Sequence, residues 1–157
     1  MKVLTVRDIW IYAKLNVQHN LPDLGPLGPP LTTGIHGRVF AYGSGLILKL
    51  GTKKHKAKML AMLPWLSANA KHLAEITDFG DLGTGYWYLM ERIPLRLTES
   101  EVLALAQRAD GPANMAEFYR WLDGIEYRHT DIKPANVRKT HDGTIKLIDL
   151  ESFEPKQ

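Results

Sequence analysis

The sequence His129-Thr-Asp-Ile-Lys-Pro-Ala-Asn136, followed by Leu147-Ile-Asp149, decides how this chain is interpreted. It places an aspartate, a lysine and an asparagine in one short stretch and returns a second aspartate after a hairpin. Phosphoryl transfer needs a group that orients the attacking hydroxyl, a cation near the moving phosphate and oxygen ligands for magnesium. The pattern therefore predicts that Asp131, Lys133, Asn136 and Asp149 form one site.

The composition is that of a globular protein and not of a disordered chain. Of its 157 residues, 45% are hydrophobic and 24% are charged. The absence of cysteine excludes disulfide bonds, a thiol nucleophile and the usual structural zinc sites. No apolar run is long enough for a transmembrane helix, and charges follow the N-terminus too early for a secretory signal. We therefore expect a cytoplasmic protein, either of the producing cell or of an invaded host cell.

A lysine cluster, Lys53, Lys54, Lys56 and Lys58, carries much of the net charge of +3. Such a cluster can bind nucleic acid or an acidic protein, but a solvated helix face is the more ordinary explanation. No aromatic residues interleave with it, as binding of a single strand would require. We expect neither a specific nucleic-acid partner nor a membrane partner.

Turn signals and hydrophobic periodicity divide the chain into three parts. Residues 1–30 contain a short helix (5–14) and a proline- and glycine-rich connector, too broken for regular structure. Residues 31–93 favour strands at 38–42, 46–50, 74–79 and 86–93, with a helix over 53–63 that Pro64 should stop. Residues 94–157 begin with helices and end in a hairpin around Asp142-Gly143. Strands followed by helices indicate an α+β fold, with a small-molecule site expected between the two parts.

Two helix starts are predicted in the last part. Thr98 and Glu101 have the spacing of a capping box, which opens a helix over 102–109. Asn114 is expected to cap the next helix, whose apolar residues recur at helical spacing.

The order of elements and the pattern His129-x-Asp131-x-Lys133-Pro-x-Asn136 resemble the protein-kinase superfamily, in particular serine/threonine kinases. The resemblance covers about residues 31–153 and implies an N-lobe with an antiparallel sheet and a truncated helical C-lobe with the catalytic-loop hairpin. It also implies ATP and Mg²⁺ as cofactors. It makes Asp131 the catalytic aspartate and Lys133 the cation for the γ-phosphate. It makes Asn136 and Asp149 the metal ligands, and His129 a residue that holds the loop.

The resemblance also assigns seven residues to ATP: Gly34, Gly37, Val39, Lys49, Met90, Glu91 and Ile93. The two glycines would let the backbone approach phosphate oxygens, and Val39 would pack on adenine. Lys49 would contact the α- and β-phosphates. Met90 would stand behind the adenine, and backbone groups of Glu91 and Ile93 would hydrogen-bond it.

Several positions depart from the family pattern. The helix over 53–63 holds no acidic residue to pair with Lys49, so we expect Asp149, Glu75 or the phosphates to take that role. The triplet that begins at Asp149 reads Asp-Leu-Glu, with Glu151 where a glycine is usual, which also resembles kinases of the aminoglycoside type. Ile47 replaces an alanine and would narrow the adenine pocket.

The stretch after Asp149 is short, so no activation segment and no peptide-binding helices are expected. Thr130 in place of the usual arginine agrees with this, because no activation-loop phosphate would need binding. The expected arrangement of elements is similar to that of abbreviated bacterial effector kinases and small phage kinases.

Three hypotheses follow. The first is a minimal serine/threonine protein kinase that needs a regulatory or substrate protein. The second is a pseudokinase that serves as a protein-binding module, favoured by the helix without an acidic residue. The third, of lower weight, is a small-molecule kinase.

Overall fold

The computed structural model describes residues 27–34, 37–42, 45–81, 83, 85–108 and 111–156, and of residues 27–34, 37 and 38 the backbone alone. The predicted helix over 5–14, most of the connector, and residues 35–36 and 43–44 of two predicted turns lie outside this description. The chain divides into two compact units. The first comprises residues up to Ala68 together with Glu75–Arg92, and the second comprises Asn69–Ala74 together with the chain from Ile93 onward.

The first unit contains an antiparallel five-stranded sheet in the order β1-β2-β3-β5-β4. Its strands are β1 (Leu27–Gly34), β2 (Gly37–Tyr42), β3 (Leu46–Gly51), β4 (Ile76–Asp81) and β5 (Tyr86–Glu91). The predicted strands in this region are thus present, with ends displaced by one or two residues. A cluster of Phe40, Leu48, Leu50, Trp87 and Leu89 forms part of the core on this sheet.

Strand β1 begins at Leu27, inside the stretch that we expected to lack regular structure. It includes Pro29 and Pro30, and its register with β2 shifts on both sides of Pro30. Among the strands that the structure describes, β1 pairs with β2 only, so it is an edge strand of this sheet. Proline is tolerated there because the missing N–H can lie on the unpaired side or at a bulge.

Helix α1 (Lys53–Ala68) is longer than predicted, and the expectation that Pro64 stops it is wrong. Pro64 is exposed, whereas Met62, Leu63 and Leu66 around it are buried. The helix packs against β4 and β5. Burial of this apolar face outweighs the hydrogen bond that proline removes from the last turns.

The second unit contains helices α2 (Glu99–Gln107) and α3 (Ala113–Gly124) and four short strands. The strands are β6 (Tyr127–His129), β7 (Val137–Lys139), β8 (Ile145–Leu147) and β9 (Phe153–Pro155). β6 pairs with β9 and β7 pairs with β8, both antiparallel. The predicted hairpin around Asp142-Gly143 is the β7–β8 pair, and Gly143 has a φ of 91° in its turn.

One predicted cap is confirmed and the other is wrong. The Thr98 side chain accepts from the Glu101 N–H, and Glu101 bonds the Thr98 N–H in return, which completes a capping box for α2. Pro112, not Asn114, is the N-cap of α3. The Asn114 amide instead donates to Glu101 and to the Gly143 carbonyl, since these acceptors reach it from other parts of the unit.

The described residues therefore form an α+β structure with an antiparallel sheet and three helices, as predicted. None of these helices combines the length and the apolar character that crossing a bilayer requires.

Candidate active site

The stretch between His129 and Val137 is held at both ends by strand pairing. His129 at the end of β6 lies opposite Phe153 in β9, and Val137 at the start of β7 lies opposite Leu147 in β8. A 3-10 turn over Pro134–Asn136 leads into β7. Because β8 and β9 flank Asp149, the two pairings bring this residue back beside the loop.

Asn136 connects the two aspartates. Its amide nitrogen Nδ2 lies 2.8 Å from the Asp131 carbonyl oxygen, 3.1 Å from Asp131 Oδ2 and 3.3 Å from Asp149 Oδ2. The Asn136 carbonyl accepts from the Ile148 N–H at 2.9 Å, which fixes the residue to the segment before Asp149. The three polar residues that spacing alone suggested as neighbours are thus neighbours in the structure.

Lys133 pairs with the catalytic candidate of the loop. Its Nζ lies 3.1 Å from Asp131 Oδ2, and the two side chains are 54% and 46% exposed. The hydrogen bond from Lys133 lowers the pKa of Asp131 below its usual range. Asp131 is therefore an ionised, accessible carboxylate at neutral pH, as an acceptor of a hydroxyl proton must be.

His129 holds the backbone on both sides of the site. Its Nδ1 accepts from the Asp131 N–H at 3.2 Å, so Nε2 carries the proton and donates to the Asp149 carbonyl at 2.6 Å. Its ring also meets Phe153 edge-on at a centroid distance of 4.9 Å. These contacts give His129 a supporting place in the site.

Ser152 belongs to the site but has no place in the sequence pattern. Its hydroxyl donates to Asp149 Oδ2 at 2.5 Å. Its carbonyl accepts from Thr130, from the N–H at 2.9 Å and from the hydroxyl at 3.0 Å. The one available signal was the spacing, because a serine three residues after an aspartate can close a local turn.

Asp149 and Asn136 offer the oxygen atoms that suit magnesium. Among the described residues there is no group of three or more His, Asp and Glu side chains arranged to hold a metal ion. One carboxylate and one amide oxygen are nevertheless a fitting pair, since Mg²⁺ keeps waters and takes further ligands from phosphates. Glu151, the residue in the usual glycine position, is buried.

Most residues predicted to bind ATP lie in the first unit. Gly34, the last residue of β1, pairs with Gly37, the first residue of β2, and Val39 lies opposite Lys49 in the β2–β3 pair. Lys49 is half-buried and also lies opposite Tyr88 of β5. Their assignment to ATP stays a prediction.

The segment predicted to contact adenine is tightly hydrogen-bonded. Met90 is buried, and Ile47 lies opposite it in the β3–β5 register. The Glu91 N–H donates to the Glu75 carbonyl at 2.8 Å, and the Glu91 carboxylate accepts from the Glu75 N–H at 2.9 Å. Ile93 is buried and starts the main stretch of the second unit. The roles of Met90, Glu91 and Ile93 also stay predictions.

No family model matches the chain, and no curated protein matches it. Among solved structures it is similar to WbdD in a co-crystal with the kinase inhibitor LY294002, with a TM-score of 0.55, 15% identity, and coverage of 82% of this chain and 33% of that one. This chain has a kinase-like fold. Monomeric WbdD gives a TM-score of 0.54 at 17% identity, over 77% of this chain and 33% of that chain.

A further structure, described as the bifunctional kinase-methyltransferase WbdD, gives a TM-score of 0.52 at 18% identity, over 78% of this chain and 31% of that chain. The chain thus spans about a third of the length of the WbdD chains that it matches. At such identities the likeness concerns the fold alone.

Proposed function

We propose that this protein is a kinase that transfers the γ-phosphate of ATP to a serine or threonine hydroxyl of a protein. The observation that carries the proposal is the Asn136 amide, which bridges Asp131 and Asp149 at 3.1 and 3.3 Å. A turn that merely linked two strand pairs would have no need to gather two carboxylates, an amide and an ammonium group. The kinase-like fold supports the same assignment.

Each residue has a separate role in this proposal. Asp131 would orient the substrate hydroxyl and accept its proton as the oxygen bonds to the γ-phosphorus and the bond to the β-phosphate oxygen breaks. Lys133 would neutralise charge on the transferred group. Asp149 and Asn136 would hold magnesium, which supplies charge compensation on the phosphates when bound. Lys49 and the two glycines of the β1–β2 turn would bind the remaining phosphates.

The acceptor is proposed to come from a partner protein. In this proposal the partner would present its hydroxyl to Asp131. The half-exposed carboxylate of Asp131 is compatible with such an approach.

A measurement of phosphate transfer tests the proposal. Purified protein is incubated with Mg²⁺ and γ-labelled ATP, and transfer to itself and to proteins of the producing cell is measured. Asp131→Asn should lower the rate by about a hundredfold or more, which is the usual contribution of a positioned acid or base. Asp149→Asn should abolish transfer. Asp142→Asn, in the β7–β8 turn, is the matched control and should leave the rate unchanged.

A catalytically inactive binding module is the second candidate. The observation that favours it is helix α1, whose residues Lys53–Ala68 include no carboxylate to orient Lys49. This alternative predicts no transfer from the wild-type protein at any metal concentration. If the wild type does transfer phosphate and Asp131→Asn does not lower the rate, the catalytic role proposed for Asp131 is wrong.

A further inference from the structure

We propose that Ser152 is a positioning residue for the metal-binding carboxylate of Asp149, and this inference rests on the proposed function. The Ser152 hydroxyl donates to Asp149 Oδ2 at 2.5 Å, and Asn136 Nδ2 approaches the same oxygen at 3.3 Å. Both of these hydrogen bonds arrive at Oδ2 and set the orientation in which the Asp149 carboxylate would hold the ion.

Ser152 is itself anchored to the catalytic loop. Its carbonyl accepts both the N–H and the hydroxyl of Thr130, the residue that precedes Asp131. The next residue, Phe153, begins β9 opposite His129 of β6. The backbone that carries this hydroxyl is therefore held in place by hydrogen bonds. The hydroxyl in turn holds the Asp149 carboxylate at a fixed position relative to the loop.

The contacts of Asp149 divide between its backbone and its side chain. His129 holds the backbone, because Nε2 donates to the Asp149 carbonyl at 2.6 Å. Ser152 makes the shorter of the two hydrogen bonds to the carboxylate, and a hydrogen bond to an ionised oxygen is stronger than one between neutral groups. Loss of the Ser152 hydroxyl would remove the shorter of these two bonds and leave the carboxylate freer to rotate.

A hydroxyl three residues after an aspartate can also act only as a turn-forming group. The two roles differ in what they control. A turn-forming group affects the stability of the second unit, whereas a positioning residue affects the affinity for the metal. Groups that orient a metal-ligating side chain commonly change metal affinity by about ten- to a hundredfold when removed.

Calorimetric titration of the full chain with ATP, in Mg²⁺ and then in EDTA, separates the two roles. Ser152→Ala should weaken binding of Mg-ATP by about tenfold or more and leave metal-free ATP binding unchanged. Ser152→Thr keeps the hydroxyl and should bind Mg-ATP with an affinity within about threefold of the wild type. That change is small compared with the roughly ten- to hundredfold loss expected when an orienting group is removed. Thermal unfolding of each variant without ligand shows whether the fold is retained.

The outcomes distinguish this inference from the proposed function. Equal Mg-ATP affinity of wild type and Ser152→Ala, with a lower melting temperature for the variant, would make Ser152 a turn-forming residue and overturn the inference alone. An equal loss of affinity with and without metal would overturn it too, since nucleotide and not metal binding would then depend on Ser152. Absence of Mg-ATP binding by the wild type would reject both the inference and the proposed function.

Discussion

Glu101 is a buried acid whose pKa departs strongly from its ordinary value. Its side chain is 4% exposed, and burial alone would raise its pKa. Hydrogen bonds from the Thr98 N–H at 2.7 Å, Asn114 Nδ2 at 2.5 Å and Lys139 Nζ at 3.0 Å act in the opposite direction. Together they lower the pKa of Glu101 from 4.5 to about 2. The ionised form therefore connects α2 with α3 and β7.

This depressed pKa predicts a stability that depends on pH. Because the folded pKa lies below the unfolded one, the contribution of Glu101, on the order of 3 kcal/mol, is present above pH 4.5 and is lost as pH falls towards 2. Urea unfolding of the wild type and of Glu101→Gln between pH 7 and pH 3 measures it. The variant should be less stable at pH 7 and depend less on pH below 4.5.

The matched control is Glu99→Gln, in the first turn of the same helix, where the side chain is exposed. It should leave the pH dependence of unfolding unchanged. Equal pH dependence of the wild type and Glu101→Gln would show that the acid is not linked to folding.

At this scale, sequence predicts what lies close along the chain. The grouping of Asp131, Lys133 and Asn136 was predictable because one short loop holds them, and the capping box because its two residues are three apart. The bond between Glu101 and Lys139 joins residues 38 positions apart, and no spacing rule reaches that far. Ser152 was missed for a related reason, since only the return of the chain at β9 gives its hydroxyl and carbonyl their partners.

At the scale of the elements, Gly85, just before β5, lies close to the backbone of Gly51 at the end of β3. A Cβ built on Gly85 would lie 2.1 Å from the Gly51 carbonyl oxygen, and neither partner can move without moving its strand. Gly85→Ala should therefore destabilise the first unit by about 1–3 kcal/mol, as overpacking usually does. Denaturant unfolding followed by tryptophan fluorescence would measure this change.

Gly45→Ala serves as the control for Gly85→Ala. A Cβ at Gly45, just before β3, would meet nothing within 4 Å of it. Its free energy of unfolding should remain close to that of the wild type. An equal loss in both variants would indicate a general effect of replacing glycine and not a steric one.

Helix α1 offers a second test at this scale. Pro64 lies inside the helix and is exposed, so Pro64→Ala should restore a backbone hydrogen bond without disturbing the buried face. We expect the free energy of unfolding to rise by about 1–3 kcal/mol, within the cost of proline in a helix interior. Lower stability of the variant would show that contacts of the Pro64 ring stabilise the folded protein. Circular dichroism during thermal unfolding makes the comparison.

The elements themselves were largely predictable, and the errors share a cause. Periodicity and turn residues indicated strands β2 to β5 of the sheet, the start of α2 and the β7–β8 hairpin, but not β1. The rules for proline failed at Pro30 and Pro64, because sheet position and burial decide whether proline is tolerated. Asn114 failed as a cap because Glu101 and Gly143 provide partners that no local rule includes.

At the scale of the whole molecule, ligand binding should increase the free energy of unfolding. A ligand that binds only the folded state adds about 2.7 kcal/mol at a concentration a hundred times its dissociation constant. Mg-ATP should therefore raise the melting temperature of the wild type, and ATP in EDTA should raise it less. Asp149→Asn should lose the difference between the two conditions. A melting temperature that Mg-ATP does not change would contradict the predicted cofactors.

The α+β class and the kinase-like fold followed from the order of elements, but the sequence matches no family model. The likeness to WbdD rests on structure, at 15–18% identity. Few side chains need to be shared for a fold to be similar, since many apolar residues fill a core equally well. Substrate and partner depend on surfaces that such a comparison does not describe.

The pairing of β6 with β9 has a consequence for how the site opens. The candidate active-site residues of the second unit, from His129 to Ser152, lie on one loop of chain that this pairing closes. Local opening of a folded protein usually releases contiguous segments together. The amide protons of Thr130 and Ile148, which bond Ser152 and Asn136, should therefore exchange with solvent as a group. The loop from His129 to Asn136 and the proposed metal ligands would then be lost and regained in one cooperative step, so a partly assembled site would be short-lived.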